Sequence, residues 1–146
     1  MLEVSKQVEA LAERMLADAY DLVRSGWCQG TSAVDEMGRA LEPSSAFARR
    51  WSAPGALERV WRRMPENGDL ALEAFERANL ALAAAVRQVP QEWNDGRERT
   101  CEEVLGALAR AQDFVRVADE NSLVDDLLDS VGRYDAVPGL LFDGSL

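Results

Sequence analysis

The sequence predicts an all-α protein, a compact helical bundle of four to five main helices. Apolar residues recur at spacings of three and four in several separate segments, which is the period of a helix with one buried face. Proline and glycine separate these segments, and alanine is frequent in them, which favours close approach of neighbouring helices. We therefore expect one bundle domain over residues 1–117 and an acidic C-terminal segment over residues 118–146.

The first helix is predicted from about residue 3 to residue 24. Its apolar face comprises Val4, Val8, Leu11, Met15, Ala19 and Leu22. Ser25-Gly26 ends it. The following stretch, residues 26–43, contains glycines at positions 26, 30 and 38 and short extended patterns between them. It predicts a small irregular or hairpin insert between helices.

The next segment carries two signals for helix starts. Pro43-Ser44-Ser45 predicts the cap of a short helix that places Phe47 and Trp51 four residues apart on one face. Pro54 interrupts it, and because proline is tolerated in the first turn of a helix, Ser52 to Gly55 predicts the start of a second helix. The core residues of that helix are predicted to be Leu57, Val60, Trp61 and Met64.

Two longer helices follow. Asp69 is predicted to cap the third helix, which Pro90 ends. Its predicted inner face comprises Leu72, Phe75, Ala78, Leu82, Ala85 and Val86 or Val89. Thr100 and Glu103 have the spacing of a capping box at the start of the fourth helix. Its predicted face comprises Cys101, Val104, Leu105, Leu108, Ala111, Gln112 and Val115.

The segment from Trp93 to Thr100 connects these two helices and supports two interpretations. As a structural turn, Asn94 and Asp95 bond nearby backbone amides, and Trp93 packs against the bundle. As a binding site, Asp95, Arg97 and Arg99 converge on a polar ligand beneath the Trp93 ring. The spacing of these residues fits both interpretations.

A second turn, Gly26 to Gly30, carries Trp27 and Gln29 just after the first helix. If the first and fourth helices are neighbours, this turn meets the Trp93 segment and either completes the packing or forms one wall of a pocket. The candidate ligand or interaction residues are Trp27, Gln29, Asp35, Trp93, Asn94, Asp95 and Arg99.

A resemblance to a known family rests on short motifs that follow one another along the chain. They are Gly26-Trp27-Cys28-Gln29-Gly30, Asp35, Gly38-Arg39, Trp51, Gly55-Ala56-Leu57, Trp93-Asn94-Asp95, Arg99-Thr100 and Glu103-Val104-Leu105. In this order they resemble DUF6197, a family of unknown function associated with actinobacteria and phages, over roughly residues 5–115. The chain departs from the pattern at Ser52, where a cysteine is expected, and at Pro54. The resemblance implies no activity, and these departures argue against a cysteine-dependent role.

The charge of the chain is acidic and uneven. The net charge is −10, and residues 118–146 hold −6 of it, from seven acidic residues against Arg133. Such a balance disfavours direct binding of nucleic acid and favours a protein partner. That partner is either a different protein or a second copy of this chain. The acidic tail is also expected to contact, in the same chain or in a second copy, the cluster Arg49, Arg50, Arg59, Arg62 and Arg63, with apolar contacts from Leu127, Leu128 and Phe142.

The sequence contains no histidine, which removes the commonest general base and the commonest metal ligand. No nucleotide-binding glycine motif, metal-ligand spacing, membrane span or signal peptide is visible, so we expect no cofactor, no metal, no membrane contact and a cytoplasmic location. The leading hypothesis is a non-enzymatic protein-binding or regulatory module. The alternatives are a small-molecule-binding protein or enzyme that uses the Trp27 and Trp93 turns, and an acidic phage-encoded inhibitor that mimics nucleic acid.

Overall fold

A computed structural model of the protein describes residues 2–65 and 68–117. Within them the chain forms five helices: α1 (Leu2–Ser25), α2 (Ala53–Arg62), α3 (Asp69–Val86), α4 (Pro90–Asn94) and α5 (Cys101–Val117). Two short strands, β1 (Ala33–Val34) and β2 (Arg50–Trp51), lie between α1 and α2. The predicted all-α bundle with a small insert is confirmed. Residues 118–146, with the predicted tail contacts Leu127, Leu128 and Phe142, lie outside the described residues.

Helices α1, α3 and α5 pack against one another, and α2 packs mainly on α1. The fully buried side chains at their centre include Met15 and Leu16 of α1, Leu82 of α3 and Leu108 of α5. Small residues between these larger ones allow the helix axes to approach closely. None of the described helices is long and apolar enough to cross a bilayer.

The inner face of α3 differs from the prediction. Leu72 was expected in the core but is exposed, whereas the alanines of α3 point inward. These buried alanines are Ala71, Ala74, Ala78, Ala81, Ala83 and Ala84. Ala78, Leu82 and Val86 are buried as predicted, and the row of small residues beside them permits close contacts with both α1 and α5. Asp69 is the first helical residue, and Gly68 occupies the N-cap position without a side-chain hydrogen bond.

The predicted short helix carrying Phe47 and Trp51 is wrong. Residues 43–49 form turns, and Trp51 lies in β2, paired with Ala33 of β1. The backbone N–H of Trp51 donates to the Gly26 carbonyl (3.0 Å), and its carbonyl accepts from the Cys28 N–H (3.2 Å). These bonds hold Trp51 in an extended conformation, with its ring buried and Phe47 exposed.

Helix α2 starts as predicted at Ser52 and Pro54. The Ser52 side chain accepts a hydrogen bond from the Gly55 N–H (3.0 Å), and Pro54 lies in the first turn. Gly55 packs directly on the backbone just before β1, where a Cβ atom would overlap the carbonyl oxygen of Ser32. Glycine is therefore required at this contact between the insert and α2.

Pro90 was predicted to end α3, but it begins the separate short helix α4. Helix α3 ends at Val86, followed by Arg87 in the left-handed conformation (φ 60°). Consequently Trp93 and Asn94 belong to the last turn of α4 rather than to a loop. The predicted capping box of α5 is confirmed, because Thr100 Oγ1 accepts from the Glu103 N–H (3.2 Å) and Glu103 Oε1 accepts from the Thr100 N–H (3.0 Å).

Candidate functional site

The two tryptophan-bearing turns meet through a hydrogen bond between side chains. The indole Nε1–H of Trp27 donates to the side-chain oxygen of Asn94 at 2.9 Å. Trp27 follows the end of α1 and Asn94 ends α4, so this contact joins the beginning of the insert to the end of α4. We call residues 95–100, between α4 and α5, the connector. The predicted meeting of these turns is therefore present in the structure.

Asn94 is fully buried, and its side chain makes four hydrogen bonds. Its oxygen also accepts from the Ala53 N–H (3.0 Å), and its nitrogen donates to the Cys28 carbonyl (3.1 Å) and to Asp95 Oδ1 (3.0 Å). A side-chain amide offers two acceptor and two donor positions, and all four are used here. The Ala53 amide belongs to the first turn of α2, where a helix leaves its N–H groups unpaired, so Asn94 also caps α2.

Asp95 and Gln29 reinforce the same junction. Asp95 Oδ1 accepts from the Gly30 N–H (2.9 Å) and from the Gln91 side chain (3.1 Å). The Gln29 side-chain amide donates to the carbonyls of Asn94 (3.0 Å) and Gly96 (2.9 Å). We call Trp27, Gln29, Gln91, Asn94 and Asp95 the Asn94 hub. Its polar groups bind one another and the local backbone.

Ser52 connects the Asn94 hub to α2 through Gln91, and the sequence predicts neither residue at this site. The buried Ser52 hydroxyl donates to Gln91 Oε1 (2.9 Å) while it accepts from Gly55. Gln91 and Asp95 lie four residues apart, which places both on one side of a helical turn. That spacing would have indicated the pair if α4 had been predicted.

Arg99 is held by the connector itself. Its guanidinium lies over the Trp93 ring (4.0 Å to the centroid), and its Nε–H donates to the Trp93 carbonyl (2.8 Å). The guanidinium also contacts Glu103 (3.5 Å). Arg97, in contrast, is exposed. The arginines thus do not converge on one ligand position beneath Trp93.

Asp35 lies apart from the hub, in the turn of a hairpin. An antiparallel backbone bridge between Val34 and Ala40 closes this hairpin. Its carboxylate accepts from the backbone N–H groups of Arg39 (2.8 Å) and Met37 (2.9 Å) and from Arg39 Nε (2.9 Å). The hydrogen bond from the Arg39 backbone, followed by the Arg39 side chain, holds the pKa of Asp35 below its ordinary value. Asp35 therefore stabilises the hairpin turn in its ionised form.

Both cysteines are free. Burial raises the pKa of the Cys28 thiol and, together with Glu102, that of the Cys101 thiol. A thiol whose pKa is raised is a poor nucleophile at neutral pH, because the thiolate is the reactive form. Within residues 2–65 and 68–117, no group of three histidine, cysteine, aspartate or glutamate side chains is arranged to hold a metal ion.

The sequence model of a family of unknown function, DUF6197, matches residues 8–114. The chain belongs to this family. No curated protein and no solved structure matches it. In this DUF6197 member, Ser52 and Pro54 both lie at the start of α2, where Ser52 serves as N-cap and as a donor to Gln91.

An exposed apolar surface lies on the insert of this DUF6197 member. Met37 and Phe47 are 76% and 71% exposed, more than the other large apolar side chains of the described residues. They flank a cavity of about 350 Å³ that Arg39, Leu41 and Arg49 also line. We call these five residues the hairpin face. The sequence does not predict this surface, because the spacing of Phe47 and Trp51 is typical of a helix and Met37 has no periodic partners.

The predicted arginine cluster mainly binds backbone carbonyls of residues 43–48. Arg59 donates to Pro43 (2.9 Å) and Ser45 (2.8 Å) and lies over the Trp51 ring, while Arg63 donates to Ser44 (2.9 Å). Arg49 donates to Ala46 and Ala48. In the described part of the chain, none of these three arginines forms an ion pair. Burial, then the charges of Arg63 and Arg49, lower the pKa of Arg59. Arg62 differs, since it pairs with Glu58.

Proposed function

We propose that this DUF6197 member is a non-enzymatic protein-binding module whose binding surface is the hairpin face. The observation that carries the proposal is the exposure of Met37 and Phe47 on either side of one cavity. Bulky apolar side chains that share an exposed surface patch are typical of interaction sites. Such side chains provide most of the affinity when a partner covers them.

The charge of the hairpin face favours a partner segment that combines an apolar side chain with carboxylates. Asp35 neutralises Arg39. Glu36 and Arg49 also line the cavity, and the guanidinium of Arg50 lies beside it, near Gly38. Three arginines against two carboxylates, Asp35 and Glu36, give this surface a net charge of +1, whereas the whole chain carries −10. Complementary charge selects partners, and apolar burial supplies affinity.

The Asn94 hub supports this proposal as a scaffold. It fixes both ends of the insert, through Trp27 before the hairpin and through Ala53 after it. A surface held in one conformation loses little entropy when a partner binds. The hub therefore favours a preorganised hairpin face.

The alternative of a small-molecule site or an enzyme at the Trp27 and Trp93 turns has less support. The Asn94 side chain has no hydrogen-bonding position left for a ligand, and Arg99 is bound to the connector. The third hypothesis, mimicry of nucleic acid by a phage-encoded inhibitor, depends on carboxylates of residues 118–146. It stays a prediction, as do the cytoplasmic location and the actinobacterial or phage source.

Calorimetric titration of the full chain with two short synthetic peptides tests the proposal. One peptide alternates leucine with pairs of aspartates, and the other replaces each aspartate by lysine. We expect the acidic peptide to bind and the basic peptide not to bind. Phe47→Ser should weaken binding by about tenfold, the loss expected from removing part of a buried aromatic side chain.

Leu72→Ser is the matched control, because Leu72 is an exposed apolar residue on α3, away from the cavity. It should leave the affinity unchanged. The proposal is overturned if neither peptide binds, if the basic peptide binds as tightly as the acidic one, or if Phe47→Ser behaves like Leu72→Ser.

A further inference from the structure

A second cavity, of about 530 Å³, lies between the C-terminal half of α1 and α2. Its apolar lining comes from Leu22, Val60 and Met64, which pack only partly against the core. Arg59 and Arg63 line it on the side of α2. We call these five residues the α1–α2 groove. It combines an apolar surface with two cations.

The carboxylates of the groove are already bound. Asp18 pairs with Arg14 at 3.9 Å, and Asp21 pairs with Arg24 at 3.1 Å. Arg59 and Arg63 donate to carbonyls of the 43–45 turn, and within residues 2–65 and 68–117 neither meets a carboxylate. Two neighbouring cations with only neutral partners favour an anionic occupant.

The C-terminal part of the same chain has the complementary chemistry. Residues 118–146 carry a net charge of −6. Within them, Leu127 and Leu128 are adjacent and are flanked by Asp125, Asp126 and Asp129. Apolar side chains surrounded by carboxylates match an apolar groove bordered by arginines.

The chain can also reach the groove. Helix α5 begins beside the end of α1, where the Cys101 sulfur lies 3.9 Å from the Val23 carbonyl, and extends from there to Val117. The groove lies near the end of α1, at the same height on the bundle axis as the first turn of α5. At a rise of 1.5 Å per residue, it is therefore about 20 Å from Val117 along that axis. Residues 118–124 span up to about 23 Å when extended. The chain must also cross α1, which is about 10 Å wide, and Leu127, up to about 33 Å from Val117, can reach the groove by that route.

We infer that the α1–α2 groove binds the acidic C-terminal segment of its own chain, around residues 125–129. Leu127 and Leu128 contact the apolar lining, and the neighbouring aspartates meet Arg59 and Arg63. Binding within one chain is favoured over binding between copies, because a short tether gives an effective concentration of order millimolar. This inference is independent of the hairpin face, which lies outside the groove.

Carbodiimide cross-linking of the full-length Arg63→Lys variant tests it. The reagent joins an ammonium group and a carboxylate that are in contact as an amide, and it takes up the water that is lost. We expect an intramolecular link from position 63 to Asp125, Asp126 or Asp129, identified by peptide mass spectrometry of the monomer. A link to Asp21 in the Arg24→Lys variant, which retains the position of the Arg24–Asp21 pair, verifies that the reagent has reacted.

Two matched variants make the result decisive. Arg97→Lys places an ammonium on an exposed part of the α4–α5 connector and should give at least several-fold fewer links to the tail. Leu127→Ser with Leu128→Ser keeps every carboxylate but removes the apolar contacts, and should lower the yield from position 63 several-fold. Equal yields in either comparison, or no link to the tail, overturn the inference. Links found only in a dimer assign the groove to a second copy and overturn binding within one chain.

Discussion

The indole of Trp27 donates a hydrogen bond to the side chain of Asn94, 67 positions further along the chain. Asn94 simultaneously accepts from the first-turn amide of α2 and donates to the Cys28 carbonyl. One buried amide thus fixes the end of α1, the start of α2 and the connector before α5 relative to one another. The hairpin face is carried on the segment between these fixed points.

Replacement of Asn94 by alanine should destabilise the protein strongly. It leaves the Ala53 N–H and the Cys28 carbonyl without their partner and also removes the bond to Trp27. Each unsatisfied buried group costs about 1–3 kcal/mol, so we expect the free energy of unfolding to fall by about 3 kcal/mol or more. Urea unfolding followed by tryptophan fluorescence measures this loss.

Asn79→Ala is the control, because the Asn79 side chain makes a single hydrogen bond, to the Phe75 carbonyl of its own helix. It should cost less than about 1 kcal/mol. Similar losses for Asn94→Ala and Asn79→Ala would show that the hub does not carry the stability assigned to it.

Substitution of two glycines by alanine should have opposite effects. At Gly55 the new Cβ overlaps the Ser32 carbonyl, so Gly55→Ala should destabilise by about 3 kcal/mol, the upper range for overpacking. At Gly106, within α5, the nearest atom is an Arg110 guanidinium nitrogen at 3.7 Å, so the Cβ fits. Gly106→Ala should stabilise by about 0.5–1 kcal/mol because alanine favours helix. Thermal unfolding of both variants checks the pair, and a harmless Gly55→Ala would refute the close approach of α2 to Ser32.

The capping box of α5 should stabilise the protein modestly, and the contribution of the Thr100 hydroxyl can be measured by itself. Thr100→Ala removes the acceptor of the Glu103 N–H and should cost about 1 kcal/mol. Thr100→Ser keeps the hydroxyl and should cost much less. Chemical unfolding of the two variants measures the difference, and equal losses would contradict the capping role of the hydroxyl.

The stability of the hairpin should depend on pH through Asp35. Its pKa is lower in the folded chain than in the unfolded chain, so its ionised form stabilises the fold above the unfolded pKa of about 4. That contribution is lost as the pH falls through the lowered pKa. Asp35→Asn should therefore be less stable than the natural chain at pH 6, with a smaller difference at pH 3. A difference in unfolding free energy that stays constant between these pH values would contradict the assignment.

The helices could be predicted where their signals are local. The period of α1, the proline and serine at the start of α2, and the pairing of Thr100 with Glu103 each depend on residues within a few positions of one another. The spacing of Phe47 and Trp51 was misleading for the opposite reason. The conformation of Trp51 is fixed by Gly26 and Cys28, far earlier in the sequence, and no helical period reports that contact.

The candidate site was predicted only in part. The two turns were expected to meet near Trp27 and Trp93, but the side chain that joins them belongs to Asn94. Its hydrogen-bonding positions are filled by groups from two distant segments, Trp27-Cys28 and Ala53, which no local pattern reports. Ser52 and Gln91 were missed because a serine that donates to a distant glutamine has no sequence signature. The hairpin face was missed because exposure of Met37 and Phe47 follows from tertiary packing alone.

Two-dimensional ¹H–¹⁵N NMR during titration with the acidic peptide tests whether the hairpin face binds the peptide while the Asn94 hub serves only as a scaffold. It reports on both regions in one experiment. We predict that the amide signals of Met37, Arg39 and Phe47 shift with saturation, while the Trp27 indole Nε1–H signal stays in place. A titration that moves the Trp27 indole and the Asn94 side-chain amide but leaves the hairpin amides unchanged would contradict the account and place binding at the hub.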